Sequence, residues 1–205
     1  MLKEKIDIFD ASCNHIGEEY KDVAHKKGLW HKIFNCWIIN PKDKTIIVQL
    51  RGAEVQHTPN KFHVSAAGHI QAGEDLMQAV VRELDEEIGL AVNEDELLFS
   101  RDSCFEYGVC QDGVPCVNRE FYREYFLKSE ALLQDYPMQP EEVDGVFVVK
   151  IADGLQLFSG EVDSIKAKGI MREENKEVVL EIRAEDFAVS KDYYMEVFKS
   201  ANKHI

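Results

Sequence analysis

Apolar and polar residues alternate over residues 5–10 (KIDIFD), the two-residue period of a half-buried strand. Residues 17–28 (GEEYKDVAHKKG) lose that pattern and read as a loop or a frayed helical turn. Two apolar-rich runs follow, 29–40 (LWHKIFNCWIIN) and 44–51 (KTIIVQLR), joined by Pro41-Lys42-Asp43. That junction has the turn chemistry of a hairpin. After a polar loop (GAEVQHTPNK), a brief strand is expected at 62–67 (FHVSAA). The period then changes. Leu76, Met77, Val80, Val81, Leu84 and Ile88 form one helical stripe over residues 74–88, with Gly89 placed to end it as a left-handed cap. Further strands are expected at 97–107, 116–127 and 143–151, and short helices near 153–158 and 190–203. Strands and helices interleave without strict alternation, which predicts an α/β fold with a mixed sheet covered by helices. No repeat, low-complexity tract or Pro/Ser-rich linker divides the chain, so residues 1–205 read as a single domain. The charged C-terminal extension, from about residue 160, could be a lid, an extra helical cap or a dimer element, which leaves a homodimer open.

Charge narrows the range of functions. A formal net charge of −14 argues against non-specific binding to nucleic acid or to an anionic membrane, since neither polyanion is drawn to such a surface. It does not oppose a small anionic substrate, because a bound divalent cation inverts the local sign. The N-terminal MLKEKIDIFD is charged from the start, and no segment approaches the roughly 20 apolar residues of a membrane span. Five cysteines, Cys13, Cys36, Cys104, Cys110 and Cys116, are an odd number and form no Cys/His zinc pattern. Reduced thiols and a cytoplasmic location are therefore expected.

Within RELDEEIGL, residues 82–90, four acids occupy the positions from Glu83 to Glu87, interrupted only by Leu84. Helical spacing puts Glu83, Glu86 and Glu87 within an arc of about 100°. Asp85 points away, to the solvent side with Gln78 and Arg82. Converging carboxylate oxygens suit a hard cation such as Mg²⁺, Mn²⁺ or Ca²⁺. By composition alone such a cluster is more often a solvated face. The wider segment, GHIQAGEDLMQAVVRELDEEIGL (68–90), displaces that reading. It resembles the Nudix box: Gly68, Glu74, Arg82, Glu83, Leu84, Glu86, Glu87, Gly89 and Leu90 match in type and spacing.

The resemblance implies a Nudix-type α/β/α sandwich in which 68–90 is a loop–helix–loop catalytic segment. Glu83, Glu86, Glu87 and the backbone carbonyl of Gly68 would hold Mg²⁺ (or Mn²⁺), with Glu74 and Arg82 as the supporting pair. The implied reaction is divalent-metal-dependent hydrolysis of a diphosphate bond in a small-molecule substrate, a nucleoside diphosphate linked to another moiety. The base comes from the box or from a later loop.

The flanks resemble the branch of the superfamily that contains isopentenyl-diphosphate isomerase. The catalytic cysteine of that enzyme falls on Ala67 in SAAGH, so isomerase chemistry is the alternative and not the leading reading. Its later E-N-E pattern falls on VNREF, with Asn118 at the first glutamate and Glu120 at the second. Glu120 is thus the best candidate for a distant carboxylate, as metal ligand or base, with Glu124, Glu141 and Glu142 behind it. His25, His31 and His69 resemble the isomerase's histidine ligands. The first two are six apart here, not seven, which favours structural or supporting use. His69 and Arg51 are expected to bind substrate, Arg51 through its planar fork. Gln56 occupies about the place of an expected phosphate-binding lysine. Phe105, Tyr107, Phe121 and Tyr122 could include a base-stacking residue. A third reading, a catalytically silent binding module, ranks last because the box is unbroken.

Overall fold

The computed structural model describes residues 4–55, 58–111, 114–136, 138–173 and 175–205, so Gln56 lies outside the described residues. The chain runs β1 (Lys5–Phe9), β2 (His15–Tyr20), α1 (Lys21–Lys27), β3 (Trp30–Asn40), β4 (Thr45–Arg51), β5 (Phe62–His63), β6 (Ala66–His69) and α2 (Leu76–Ile88). It continues with β7 (Leu97–Gln111), β8 (Val114–Lys128), β9 (Val143–Lys150), α3 (Ile151–Ser159), β10 (Ile165–Met171), β11 (Lys176–Ile182) and α4 (Lys191–Ala201).

β3 organises the sheet. Along one edge it pairs in parallel with β8, from His31 opposite Glu120 to Ile39 opposite Lys128. Its other edge is shared in turn by β1, β6 and β4, all antiparallel. The path from edge to edge is β11-β10-β9-β4-β3-β1-β2, with the β7–β8 hairpin branching from β3. A strand flanked and covered in this way is apolar on both faces, which is why 33–39 reads as a nearly continuous apolar run. Phe34, Cys36 and Ile38 pack with Val80, Leu84 and Ile88 of α2. Ile33, Trp37 and Ile39 pack on the other side with Leu157 and Phe158 of α3 and Tyr194, Val197 and Phe198 of α4. Helices on both faces of a mixed sheet make the expected α/β/α sandwich.

The main differences from expectation lie where local signals were weak. Residues 17–28 hold most of β2 and all of α1. The strand expected at 62–67 is split at Val64-Ser65, where the Ser65 hydroxyl accepts from Ile38 N at 2.9 Å and donates to the Ile47 carbonyl. β10 and β11 were not expected: Lys166 and Lys168 alternate with buried Ile165, Ala167 and Gly169, but the buried side is made mostly of small residues within a charged segment. β10 hydrogen-bonds to β9, and α4 buries Tyr194, Val197, Phe198 and Ala201, so the C-terminal segment completes the sheet and one helical layer. Cys13, Cys36 and Cys104 are free thiols, and no helix among the described residues is long and apolar enough to cross a membrane.

A buried carboxylate ties α4 to the sheet. Glu124 on β8 accepts from Trp37 Nε1 (3.3 Å), the Tyr193 hydroxyl (3.2 Å) and Ser100 Oγ (3.1 Å), and it pairs with Arg101. Glu124→Ala removes an acceptor from four donors at once, one of them charged. Loss of about 3 kcal/mol is expected, against about 1 kcal/mol for Tyr193→Phe. Urea unfolding monitored by tryptophan fluorescence reads both, and equal losses for the two variants would contradict this account.

Candidate active site

The acidic segment owes its geometry to the two ends and the buried stripe of α2. Asp75 caps the helix, its side chain accepting from Met77 N and Gln78 N at 2.8 and 3.4 Å. Gly89 closes it in the left-handed region (φ 62°), its N–H meeting the Asp85 carbonyl while Leu90 N meets that of Leu84. With Val80, Leu84 and Ile88 pinned in the core, Glu83 is laid against β6. A Cβ at Gly68 would stand 2.5 Å from Glu83 Cγ and 2.8 Å from the Phe34 ring. Only glycine lets this strand run flush against the carboxylate.

Arg82 braces the acids. Its guanidinium grips Glu74 with two bonds (2.8 and 2.9 Å), then reaches Glu83 Oε1 at 2.8 Å and Glu86 Oε2 at 3.2 Å. Asp85 and Gln78 face solvent as expected, but Arg82 is turned back onto the box. Hydrogen bonds from Arg82 hold the Glu74 carboxyl below its ordinary range. Burial pushes the Glu83 carboxyl up, with Arg82 opposing. Burial separates Glu87 from Glu86. Glu86 is exposed, whereas Glu87 is 7% exposed and accepts from Ala67 N at 3.3 Å. Burial, then the charges of Glu142 and Glu83, push its carboxyl well above the usual range.

On the opposite face of the sheet, α1, β3 and β6 bring His25, His31 and His69 together, with ligand atoms all within 4.8 Å of one another. The six-residue spacing of the first two does not keep them apart, because α1 ends in a left-handed Gly28 (φ 62°) that turns the chain directly into β3. The Leu29 carbonyl can only accept, so His31 Nδ1 donates to it at 2.9 Å, which in the neutral ring leaves the lone pair on Nε2. That buried Nε2 has no hydrogen-bond partner, and Glu120 Oε1 stands 3.7 Å from it. Asn118 donates through Nδ2 to Glu120 Oε1 (2.7 Å) and to the Tyr107 hydroxyl (2.8 Å), leaving Oδ1 to accept from His25 Nδ1 at 3.0 Å. His25 Nε2 then faces His69 Nε2 at 3.0 Å. Far-side bonds of this kind, on His25 and His31, are how proteins orient imidazole ligands towards a common centre. Against the upward push of burial, a protonated His31 and the Asn118 amide would hold the Glu120 carboxyl below its ordinary value.

Glu120 therefore stands with the histidines, sharing the face of Tyr122 and Phe126, and not with the carboxylates of α2. Of the other acids considered, Glu124 serves the α4 anchor, Glu142 bears electrostatically on Glu87, and Glu141 is exposed. Arg51, at the end of β4, links the two groups: its charge acts on Glu87, His63 and Tyr107. Burial, then Arg51, lowers His63 to about 3, so its ring is neutral near pH 7. The aromatic candidates are mostly spent on each other, Phe105 stacking on Tyr122 and Phe121 on Trp30, both at 4.5 Å. Pattern reading missed Asn35 and His63. The one signal for Asn35 was an amide inside an apolar strand.

Residues 29–167 match the family model described as the NUDIX domain, more than half of the chain. The protein belongs to the Nudix hydrolase family. An uncharacterized Nudix hydrolase from Clostridium acetobutylicum is 31% identical over 202 residues, covering 96% of each chain. Isopentenyl-diphosphate Delta-isomerase 1 from Photorhabdus laumondii is 27% identical over 158 residues, 73% of this chain and 81% of its own. Among solved structures, DR0079 from Deinococcus radiodurans superposes with a TM-score of 0.56 at 19% identity, over 77% of this chain and 90% of that one, a likeness of fold.

Proposed function

We propose that this Nudix protein hydrolyses a diphosphate bond in a nucleoside diphosphate linked to another moiety, using Mg²⁺ or Mn²⁺. The observation that carries the reading is the Arg82-braced set of Glu83, Glu86 and Glu87 against the flush backbone of Gly68. These residues fit a hard cation: the donors are oxygens, and a buried, raised Glu87 beside Glu83 is a site short of positive charge. When bound there, a divalent ion supplies charge for the phosphate oxygens and makes an attacking water more acidic. The chain's own residues do the rest. Arg82 keeps Glu83 and Glu86 in position, Glu87 ties the site to the Ala67 backbone, and Arg51 offers its fork to a phosphate. His25, His31 and His69 with Glu120 form a second, nitrogen-rich position suited to a softer ion such as Zn²⁺.

That histidine group also favours the alternative, an isomerase-like activity, but Ala67 carries no thiol to move a proton at substrate carbon. One experiment separates them. Nucleotide sugars, dinucleoside polyphosphates, ADP-ribose, NADH, CoA and isopentenyl diphosphate are incubated with Mg²⁺ or Mn²⁺, with and without excess EDTA. Expected is release of nucleotide or phosphate product that EDTA abolishes. Activity that survives EDTA would sink the metal mechanism, and solvent-proton exchange into isopentenyl diphosphate without hydrolysis would establish the isomerase.

A further inference from the structure

Asn35 is the polar residue amid the apolar run of β3, and it is 2% exposed. Register places it between Ala67 of β6 on one edge and Glu124 of β8 on the other. Its amide orientation is decided from behind. Glu124 faces Arg101 and takes the Trp37 N–H, so as a carboxylate it accepts from the Tyr193 hydroxyl at 3.2 Å. The Tyr193 oxygen is then an acceptor, and it takes Asn35 Nδ2 at 3.2 Å. With the amide nitrogen committed to the Tyr193 hydroxyl, Oδ1 is left buried and without a hydrogen-bond partner. A buried acceptor left open costs stability, and native chains keep few of them. His63 Nδ1, four residues before Ala67, is another buried polar atom without a hydrogen-bond partner.

The N–H of Ala67 is bonded to Glu87 of the box, and Asn35 lies directly opposite Ala67. The Ala67 and Asn35 side chains share the sheet face of the histidines, so an organic group that passes from a diphosphate at Glu87 across Ala67 would meet the open Asn35 oxygen. Phe105, edge-on to Tyr193 with ring centroids 5.2 Å apart, adds aromatic surface beside this position.

We propose that Asn35 Oδ1, beside Ala67, is a subsite for a hydrogen-bond donor on the organic group of the substrate, a hydroxyl or an N–H. It selects diphosphates with a polar head, such as a sugar or a nucleobase, over diphosphates of plain hydrocarbons. The inference rests on the diphosphate reading above and deepens it. A site built to pair with a donor rejects the analogue that lacks one, because its own buried group is then stranded.

The test measures binding apart from turnover. Methylene-diphosphonate analogues of a nucleoside-diphosphate sugar and of isopentenyl diphosphate are titrated calorimetrically in Mg²⁺ against wild type, Asn35→Leu and Asn35→Asp. Wild type is expected to bind the polar analogue at least about 100-fold more tightly. Asn35→Leu should weaken that analogue by about 10–100-fold while leaving the hydrocarbon analogue within about threefold, and Asn35→Asp, which keeps an acceptor, should retain the preference. Equal weakening of both analogues, no change, binding of neither, or a wild-type preference for the hydrocarbon overturns the subsite. Should Asn35→Leu fail to fold, Tyr193→Phe decides, since freeing the amide nitrogen should erode the same preference. Turnover of the parent diphosphates is scored separately: selective binding without hydrolysis refutes the hydrolase reading and leaves the subsite standing.

Discussion

Glu87→Gln is expected to abolish Mg²⁺-dependent turnover and, at the same time, to stabilise the metal-free protein at alkaline pH. The first effect follows from removing a charged ligand oxygen. Losing a group that merely supports a metal ligand costs about 10–100-fold, and losing the ligand itself should cost at least the upper end of that range. The second effect follows from burial. In the folded chain the Glu87 carboxyl titrates well above its ordinary 4.5, first because of burial and then because of Glu142 and Glu83. A raised acid pKa means that the folded state holds a proton which the unfolded state has already released. The resulting cost is absent below 4.5, accrues as pH rises towards the raised folded value, and is complete above it. Metal-free stability should therefore fall with rising pH through that window, and Mg²⁺ should recover it by satisfying the charge. Glutamine keeps the acceptor for Ala67 N and removes the titration. Thermal melts from pH 5 to pH 8 should show a flatter profile for the variant, with about 2–4 °C gained for each kcal/mol relieved. Glu86→Gln is the control: Glu86 is exposed, so activity should drop without the change in stability profile. A Glu87→Gln protein with wild-type turnover, or with an unchanged pH profile, would contradict the assignment.

Arg82→Ala should be the most damaging change to the fold of the box itself. One guanidinium serves Glu74, Glu83 and Glu86, so its loss leaves three carboxylates to repel one another. Hydrogen bonds to charged groups count for more than neutral ones, and a loss of about 2–3 kcal/mol is expected without metal. Turnover should drop about 10–100-fold, as for other residues that orient ligands. Lysine should restore little, because a single ammonium cannot reproduce the two parallel bonds to Glu74 while reaching Glu83. Saturating Mg²⁺ should recover part of the lost stability but not the rate. Melting curves with and without metal, together with kcat and KM, decide the matter. Arg82→Lys behaving as wild type would show that charge alone suffices.

Sequence and structure contributed unequal parts. The acids of the box were legible because a single helix carries Glu83, Glu86 and Glu87. Their convergence is a consequence of helical spacing, and the cap at Gly89 is equally local. β3 and β4 were legible because strands covered on both faces must be apolar. β10 and β11 were not: Lys166 and Lys168 do alternate with Ile165, Ala167 and Gly169, but a pattern carried mostly by small residues in a charged segment is faint.

The chain by itself thus determined the family, the helix and its oxygen-rich arc, all of which depend on contacts within a few residues. Tertiary structure alone decided which carboxylate is buried, where Arg82 points, and that Glu120 stands with the histidines. It also decided that His25, His31 and His69 meet, and that Asn35 is left with an open acceptor. Each of these depends on pairing between strands distant in sequence: β3 with β6 on one edge and β8 on the other, and α4 folded back over both. Burial and amide direction are properties of that assembly, and no local pattern of residues encodes them.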